Sequence, residues 1–293
     1  MSDRPRLVTP TLLREWPLPQ ADASKYGRGQ VLVVGGARRT PGAAMLAGLS
    51  ALRMGAGRLT LAVSQSVAAP LAVAVPESGV VGLPDDSRGS VTGEDAGELL
   101  GEDLTTADAL LVGPGLDDPD GTRRLLEELV PRLPDKIPVV LDAFGATMLP
   151  SLGPDLQERL AGRLVLTPNV TELGYLLESD APAEERLVDA TIECAHRFKA
   201  VVGVSRTIAW RDDLWEQTTG DAGLGTSGSG DVMAGAVTGL LARGAEPAQA
   251  MVWGKHVHAA AGDSLAAHYG RVGYLASELL TELPQMMRTL GDA

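Results

Sequence analysis

The feature that most constrains the fold is an alternation of short apolar runs with segments of helical character. Residues 30–36 read QVLVVGG, and the segment 41–57 that follows opens with Pro41 and closes on glycines, as helices do. Apolar runs without a polar face are typical of strands that are covered on both sides of a parallel sheet. The alternation recurs, with strands expected at 58–63, 108–115, 137–143 and 163–169 and helices at 119–133 and 182–198. It predicts an α/β fold with helices on both faces of a mostly parallel sheet.

The pattern changes after residue 199. The runs AVVGVS, RTIAW and LWEQTT are joined by short turns and predict antiparallel strands at one edge of the sheet. Helices are expected to follow at about 231–243, 246–268 and 275–290. Because no repeat or Pro/Ser-rich linker interrupts the chain, we expect one domain over residues 25–293, preceded by an N-terminal arm over residues 1–24.

The amino-acid composition limits the kinds of molecule that the protein is expected to bind. The chain has 25 Lys and Arg against 38 Asp and Glu, so its net charge of -13 leaves no basic surplus for nucleic acid. A single cysteine, Cys194, excludes an intrachain disulfide and favours a reducing compartment. No signal-peptide core and no run of about 20 apolar residues is present. We therefore expect a cytoplasmic protein that binds neither nucleic acid nor membrane.

The loops after the strands are where an open α/β sheet binds its ligand. None of them matches a Walker A loop or a G-x-G-x-x-G fingerprint, so a P-loop enzyme or a Rossmann dehydrogenase is poorly supported. The segment 223–235, GLGTSGSGDVMAG, places glycines and hydroxyls before a helix, where unpaired amides and the helix dipole suit phosphate. Asp231 in this segment either caps the helix or accepts the proton of a substrate hydroxyl beside the phosphate.

Taken together, the segments resemble the ribokinase-like superfamily and most closely its ADP-dependent NAD(P)H-hydrate dehydratase family. The resemblance rests on five blocks in the same order: residues 25–63, LLVGPGL (110–116), VVLDAFG (139–145), LTPNVTEL (166–173) and GDAGLGTSGSGDVMAGAVTGLLARG (220–244). It implies a three-layer ribokinase-like fold and dehydration of the (6S)-hydrates NADHX and NADPHX. It further implies ADP, or ATP, as phosphoryl donor with Mg²⁺, release of AMP and phosphate, and a homo-oligomer.

The family's functional positions carry over one at a time. Asp231 matches its acid, which would take the proton of the C6 hydroxyl and contact the hydrate. The neighbouring positions, which would hold the transferring phosphoryl group, are Gly228, Ser229 and Gly230. The other substrate contacts fall on Ala43, Gly115 and Asn169. The nucleotide-binding KGxxT motif aligns with Gly203, Val204, Ser205, Arg206 and Thr207.

Several positions depart from the family pattern. Gly203 stands where KGxxT has its lysine, and Arg206 could supply positive charge only from a different place. Asn169 replaces a histidine, and Phe144 replaces the second acid of DADG. Because these losses lie at nucleotide and substrate contacts, two interpretations stay open: an altered preference for nucleotide or substrate, or a weakened enzyme.

The remaining polar residues support no further site. His256 and His258 lie two apart on a predicted helix and point in different directions, so we predict no protein-built metal site. Lys255 could approach phosphate, although a solvated lysine is the expectation. Asp142 either helps to hold Mg²⁺ through water or caps the following turn, and Glu172 either orients metal-bound water or stabilises the first turn of a helix.

Two other functions are compatible with the motifs. A kinase for a small hydroxymethyl compound or sugar would use Asp231 in the same way, but the block 35–57 favours the dehydratase. A nucleotide-binding protein that has lost catalysis would explain the missing lysine, histidine and acid.

Overall fold

The structure is a computed structural model that describes residues 5–20, 22–220 and 222–291. Within these residues ten strands form one sheet, in the spatial order β1-β10-β9-β8-β7-β6-β5-β2-β3-β4. The strands are β1 (Arg6–Val8), β2 (Gln30–Val34), β3 (Arg58–Ser64), β4 (Ser78–Leu83), β5 (Ala109–Val112), β6 (Val139–Leu141), β7 (Leu164–Leu166), β8 (Ala200–Val204), β9 (Thr207–Trp210) and β10 (Asp213–Gln217).

Helices follow most of the strands. They are α1 (Pro10–Glu15), α2 (Pro41–Arg53), α3 (Gln65–Ala74), α4 (Ala96–Leu99), α5 (Gly101–Thr106), α6 (Pro119–Leu129), α7 (Ala143–Thr147), α8 (Pro154–Leu160), α9 (Val170–Leu176), α10 (Leu187–Phe198), α11 (Ser229–Ala242), α12 (Pro247–Tyr269) and α13 (Ala276–Leu290). None of these helices is long and apolar enough to cross a membrane. The prediction missed α3, β4 and the short helices α4, α5, α7, α8 and α9, which lack the long periodic runs it relied on.

The pairing of the strands confirms a mostly parallel sheet. From β4 to β8 all neighbours are parallel, whereas β8 pairs antiparallel with β9 and β9 with β10. The antiparallel hairpins at this edge are those expected from the change of pattern after residue 199.

Successive residues of each strand feed two separate cores, because side chains alternate between the faces of a sheet. On one face Val31, Val33 and Val201 join α2, α11, α12 and α13. On the other face Leu32, Val34 and Val202 join α6, α9 and α10. Burial on both faces explains the continuous apolar runs and confirms the predicted three-layer arrangement.

The segment expected to be an N-terminal arm is packed on the sheet where it is described. β1 adds a parallel strand beside β10, and the ring of Trp16 stacks on Trp215 at a centroid distance of 6.0 Å. Trp253 Nε1 donates a hydrogen bond of 2.9 Å to the carbonyl oxygen of Trp16. These contacts cover the edge of β10, which an unpaired strand would leave open to other chains.

Close packing of α2 against α11 sets the position of the final helices. A Cβ atom at Gly235 would collide with the carbonyl oxygen of Ala47, so glycine is needed for the two backbones to touch. Ser50 Oγ donates a hydrogen bond of 2.6 Å to the carbonyl oxygen of Val232. The start of α11 is thereby fixed next to α2, at the carboxyl edge of the sheet.

Candidate active site

The strand order reverses between β2 and β5, which opens a crevice outside the carboxyl ends of these strands. The loops after the two strands are joined by main-chain hydrogen bonds of 2.8 Å, from Gly36 N to the oxygen of Pro114 and from Ala37 N to that of Gly115. Thr40 Oγ1 also donates to the oxygen of Gly115, at 2.8 Å. The crevice is therefore a rigid, main-chain-lined feature.

Ala43 and Gly115, two predicted substrate contacts, lie side by side in this crevice. A Cβ atom at Gly115 would lie 2.9 Å from that of Ala43, which is half-buried in the first turn of α2. The structure therefore brings these two residues together. Their contact with a nicotinamide nucleotide stays a prediction.

The glycine-rich loop before α11 presents unpaired main-chain donors. Gly228 has a φ of +89°, which only glycine adopts readily, and a Cβ atom there would lie 2.6 Å from Leu46 Cδ1. Ser229 N donates to the oxygen of Thr226 and Val232 N to that of Gly228. The amides of Gly230 and Asp231 have no main-chain acceptor among the described residues. They lie at the exposed start of a 14-residue helix, a position that favours anions.

Asp231 is half-buried at this helix start. Its predicted role as an N-cap is wrong, because Gly228 occupies the N-cap position and Asp231 is the third residue of the helix. Burial, with a smaller contribution from the nearby charge of Glu172, raises the pKa of Asp231 to about 6. A carboxylate of this kind is a competent base near neutral pH.

Two further carboxyl groups approach Asp231 from neighbouring loops. Asp142, after β6, is buried and accepts a hydrogen bond of 2.7 Å from Thr167 Oγ1. Asp142 also occupies the N-cap position of α7, as one of its two predicted roles requires, but its side chain makes no capping hydrogen bond there. Burial raises the pKa of Asp142 to about 8; the bond from Thr167 opposes the rise, and the charges of Asp231 and Glu172 add to it. Sequence spacing gave no sign that these groups interact across three loops.

Asn169 and Glu172 form a capping box at the start of α9. Glu172 N donates to Asn169 Oδ1 and Asn169 N donates to Glu172 Oε2, both at 2.9 Å. Burial raises the pKa of Glu172, opposed by the hydrogen bonds with Asn169. Asn169 is exposed at the start of α9, and its role in binding substrate stays a prediction.

The predicted nucleotide-binding segment 203–207 is a β-hairpin. Gly203 and Val204 end β8, Thr207 begins β9, and Ser205 and Arg206 form the exposed turn. The side chain of Arg206 is 59% exposed, and its Nε lies 4.0 Å from Glu216 Oε1. Arg206 therefore points to a partner on β10 at the surface.

Lys255 is buried, contrary to the expectation that it is solvated. It is only 9% exposed, and burial lowers the pKa of its ammonium to about 8. A Cβ atom at Gly203 would lie 3.1 Å from Lys255 Cδ, so the lysine stem covers the end of β8. The sequence contained one usable signal, since Lys255 is the only Lys, Arg, Asp or Glu between residues 247 and 262, but it did not show where the side chain lies.

Two of the three histidines of α12, His256 and His258, are hydrogen-bonded in the interior. His258 Nε2 lies 3.0 Å from Ser229 Oγ, and His256 Nδ1 lies 3.3 Å from Gln217 Oε1. Burial and the charge of Lys255 lower the pKa of His258 to about 4, so it is neutral at physiological pH. His258 therefore contacts the start of α11 through Ser229, a contact between two helices that sequence spacing could not reveal.

One of these carboxyl groups, Glu172, lines a cavity of about 600 Å³. Its other lining residues include Ala143, Phe144, Met148 and Tyr175. Phe144, at the position of the family's second acid, gives it an aromatic wall. Among the described residues, no group of three or more His, Cys, Asp and Glu side chains has the geometry to hold a metal ion.

Comparison with known proteins identifies the family of this chain. The family model described as NAD(P)H-hydrate dehydratase matches residues 31–285. The ADP-dependent (S)-NAD(P)H-hydrate dehydratase of Xanthomonas campestris is 40% identical over 292 residues, which cover 98% of each chain. The bifunctional NAD(P)H-hydrate repair enzyme Nnr of Moorella thermoacetica is 36% identical over 98% of this chain. The chain spans only 54% of that bifunctional relative.

A solved structure has the same architecture. It is the ADP/ATP-dependent NAD(P)H-hydrate dehydratase of Bacillus subtilis co-crystallised with ATP and Mg²⁺, which superimposes with a TM-score of 0.80. The two chains are 25% identical, and the match covers 99% of this chain and all of the other. The fold, the family model and the similarity to the Xanthomonas enzyme agree, and the chain belongs to the NAD(P)H-hydrate dehydratase family.

Proposed function

We propose that this protein dehydrates the (6S)-hydrates of NADH and NADPH with ADP as phosphoryl donor, and so returns damaged coenzyme to use. The observation that carries the proposal is Asp231, a half-buried carboxylate with a raised pKa beside the unpaired amides of Gly230 and Asp231 itself. A base and an anion site so close together suit the transfer of a phosphoryl group to a hydroxyl.

The chemistry balances as follows. Asp231 accepts the proton of the C6 hydroxyl. The oxygen of that hydroxyl attacks the β-phosphorus of ADP, which forms the new O–P bond and breaks the bond between this phosphorus and AMP. The main-chain donors at the start of α11 stabilise the charge of the phosphoryl oxygens. The C6–O bond then breaks with phosphate as leaving group, C5 loses a proton, and the dihydronicotinamide ring is restored. ADP and hydrate thus give AMP, phosphate and reduced coenzyme.

Mg²⁺ fits this site as an ion shared with the nucleotide. Asp142 is a buried carboxyl that makes no ion pair with the described residues, and Mg²⁺ prefers one or two carboxylates together with phosphate oxygens. When bound, the ion would neutralise charge on the phosphates. The adjoining cavity, with Phe144 and Tyr175 in its wall, offers room for a planar ring of the coenzyme.

The test is an assay of the purified protein with NADHX or NADPHX and either ADP or ATP. Return of absorbance at about 340 nm, with release of AMP when ADP is supplied, is expected. No reduced coenzyme with either nucleotide would reject the proposal, and a phosphorylated small molecule as product would favour the kinase.

Asp231→Asn tests the role of the carboxylate. We expect turnover to fall by about 10²- to 10⁴-fold, because an amide cannot accept the proton, while ADP binding persists. Asp189→Asn, at a side chain 65% exposed on α10, is the matched control and should leave turnover unchanged. Normal turnover by Asp231→Asn would contradict the mechanism and favour a nucleotide-binding role.

A further inference from the structure

One buried cation, Lys255, has no part in the mechanism described so far. It is 9% exposed, and no hydrogen bond or ion pair joins its ammonium to any residue that the structure describes. A charged group without a partner is costly to bury, and its lowered pKa reflects that cost. The described residues provide no counter-ion for it, so an anionic ligand is a natural partner.

The position of Lys255 relates it to the phosphate region. Its Cδ lies over Gly203 at the carboxyl end of β8, in space that a side chain at residue 203 would occupy. One turn further along α12, His258 lies 3.0 Å from Ser229 Oγ in the anion-binding loop. Lys255 therefore lies between the 203–207 hairpin and the start of α11, the two segments that would surround a nucleotide.

Arg206, the other candidate for the missing charge, is poorly placed. Its side chain is 59% exposed and directed to Glu216 on β10, and it belongs to a surface turn. Lys255 is on the covered face of the sheet, and the small size of Gly203 makes room for it.

We propose that Lys255 supplies the positive charge that contacts the phosphates of the bound adenine nucleotide, reaching the site from α12 across Gly203. The inference rests on the proposed function and adds a nucleotide-binding residue to it. It explains why a glycine is tolerated at the end of β8: the charge comes from the helix facing that strand.

Calorimetric titration of ADP and adenosine into the wild type and Lys255→Met tests the inference without an activity readout. Methionine keeps most of the apolar stem and removes the charge. We expect ADP affinity to fall by about 10- to 100-fold, because a charge-assisted contact is lost, with adenosine affinity unchanged. Lys199→Met, at an exposed lysine that pairs with Glu158 at 2.7 Å, is the matched control and should bind both as the wild type does.

Thermal unfolding separates a binding role from a structural one. Without nucleotide, Lys255→Met should melt no lower than the wild type, because it removes an unpartnered buried charge. Its increase in melting temperature on addition of ADP should be smaller than that of the wild type. A lower melting temperature of the free variant would indicate that Lys255 stabilises the fold, which contradicts the inference.

A transplanted lysine provides a rescue. In Gly203→Lys/Lys255→Val the new side chain starts from β8, where its Cβ atom would meet the flexible end of Met251, 2.6 Å from the sulfur. We expect this double variant to regain at least about a third of the lost ADP affinity on a logarithmic scale. Equal ADP affinity of wild type and Lys255→Met, or equal losses for ADP and adenosine, would overturn the inference alone. A wild type that neither binds ADP nor dehydrates NADHX would overturn the proposed function with it.

Discussion

The loops at residues 226–231 and 203–207 carry the predicted phosphate contacts by different means. In the first, the donors belong to the main chain and stand unpaired at the start of α11. In the second, the main chain is closed into a hairpin by the pairing of Val204 with Thr207, and the proposed cation comes from Lys255 on another element. A phosphate site built from main-chain donors can be predicted from a short sequence motif. A phosphate site that is completed by a side chain from a distant segment cannot.

The largest effect in this comparison is expected from a change in the main chain of the first loop. Gly228→Ala places a Cβ atom 2.6 Å from Leu46 Cδ1 at a φ of +89°, so the loop has to shift. We expect kcat/KM to fall by about 100-fold, the scale of losing one main-chain donor to the transferring group. Steady-state kinetics measures it.

Gly225→Ala is the matched control for that experiment. Residue 225 lies in the same glycine-rich stretch, but a Cβ atom there would meet nothing within 4 Å. Its kcat/KM should stay within about twofold of the wild type. Similar losses in the two variants would mean that the whole stretch is sensitive, and that the position of the donors is not the cause.

A smaller effect is expected from the charge beside the first loop. Because the pKa of Asp231 is raised to about 6 and its carboxylate is the base, kcat/KM should fall as pH drops below about 6. Glu172→Gln keeps an acceptor for the amide of Asn169 but removes the like charge, which lowers the pKa of Asp231. At pH 5 the variant should retain about threefold more of its own plateau activity than the wild type.

The pH profile of Glu98→Gln serves as its control, since residue 98 is exposed on α4, away from the carboxyl cluster. Its acid limb should match that of the wild type. An acid limb that moves to higher pH in Glu172→Gln would contradict the sign of the interaction between Glu172 and Asp231.

The sequence was sufficient to predict those features of the fold that depend on a local pattern of residues. The apolar runs predicted the parallel strands, and the glycines of 223–235 predicted a helix start with open donors. It was insufficient where contacts join distant segments, as when Asp142 and Glu172 approach Asp231 or when Ser229 meets His258. Lys255 shows the difference most clearly: a lysine on a helix is exposed by default, and only the packing of α12 on Gly203 reveals that it is buried.

The smallest effect in this comparison is the contribution of Arg206 to ADP affinity. Measuring it decides which residue supplies the positive charge at the 203–207 loop. Its guanidinium is exposed and 4.0 Å from Glu216, so solvent and a carboxylate already satisfy much of its charge. Arg206→Met should therefore change ADP affinity by less than about twofold, measured by the same titration as Lys255→Met. Glu216→Gln, which removes the partner of Arg206, should likewise change ADP affinity by less than about twofold. A tenfold loss in Arg206→Met with none in Lys255→Met would assign the phosphate contact to the hairpin itself, and the two loops would then bind by local residues alike.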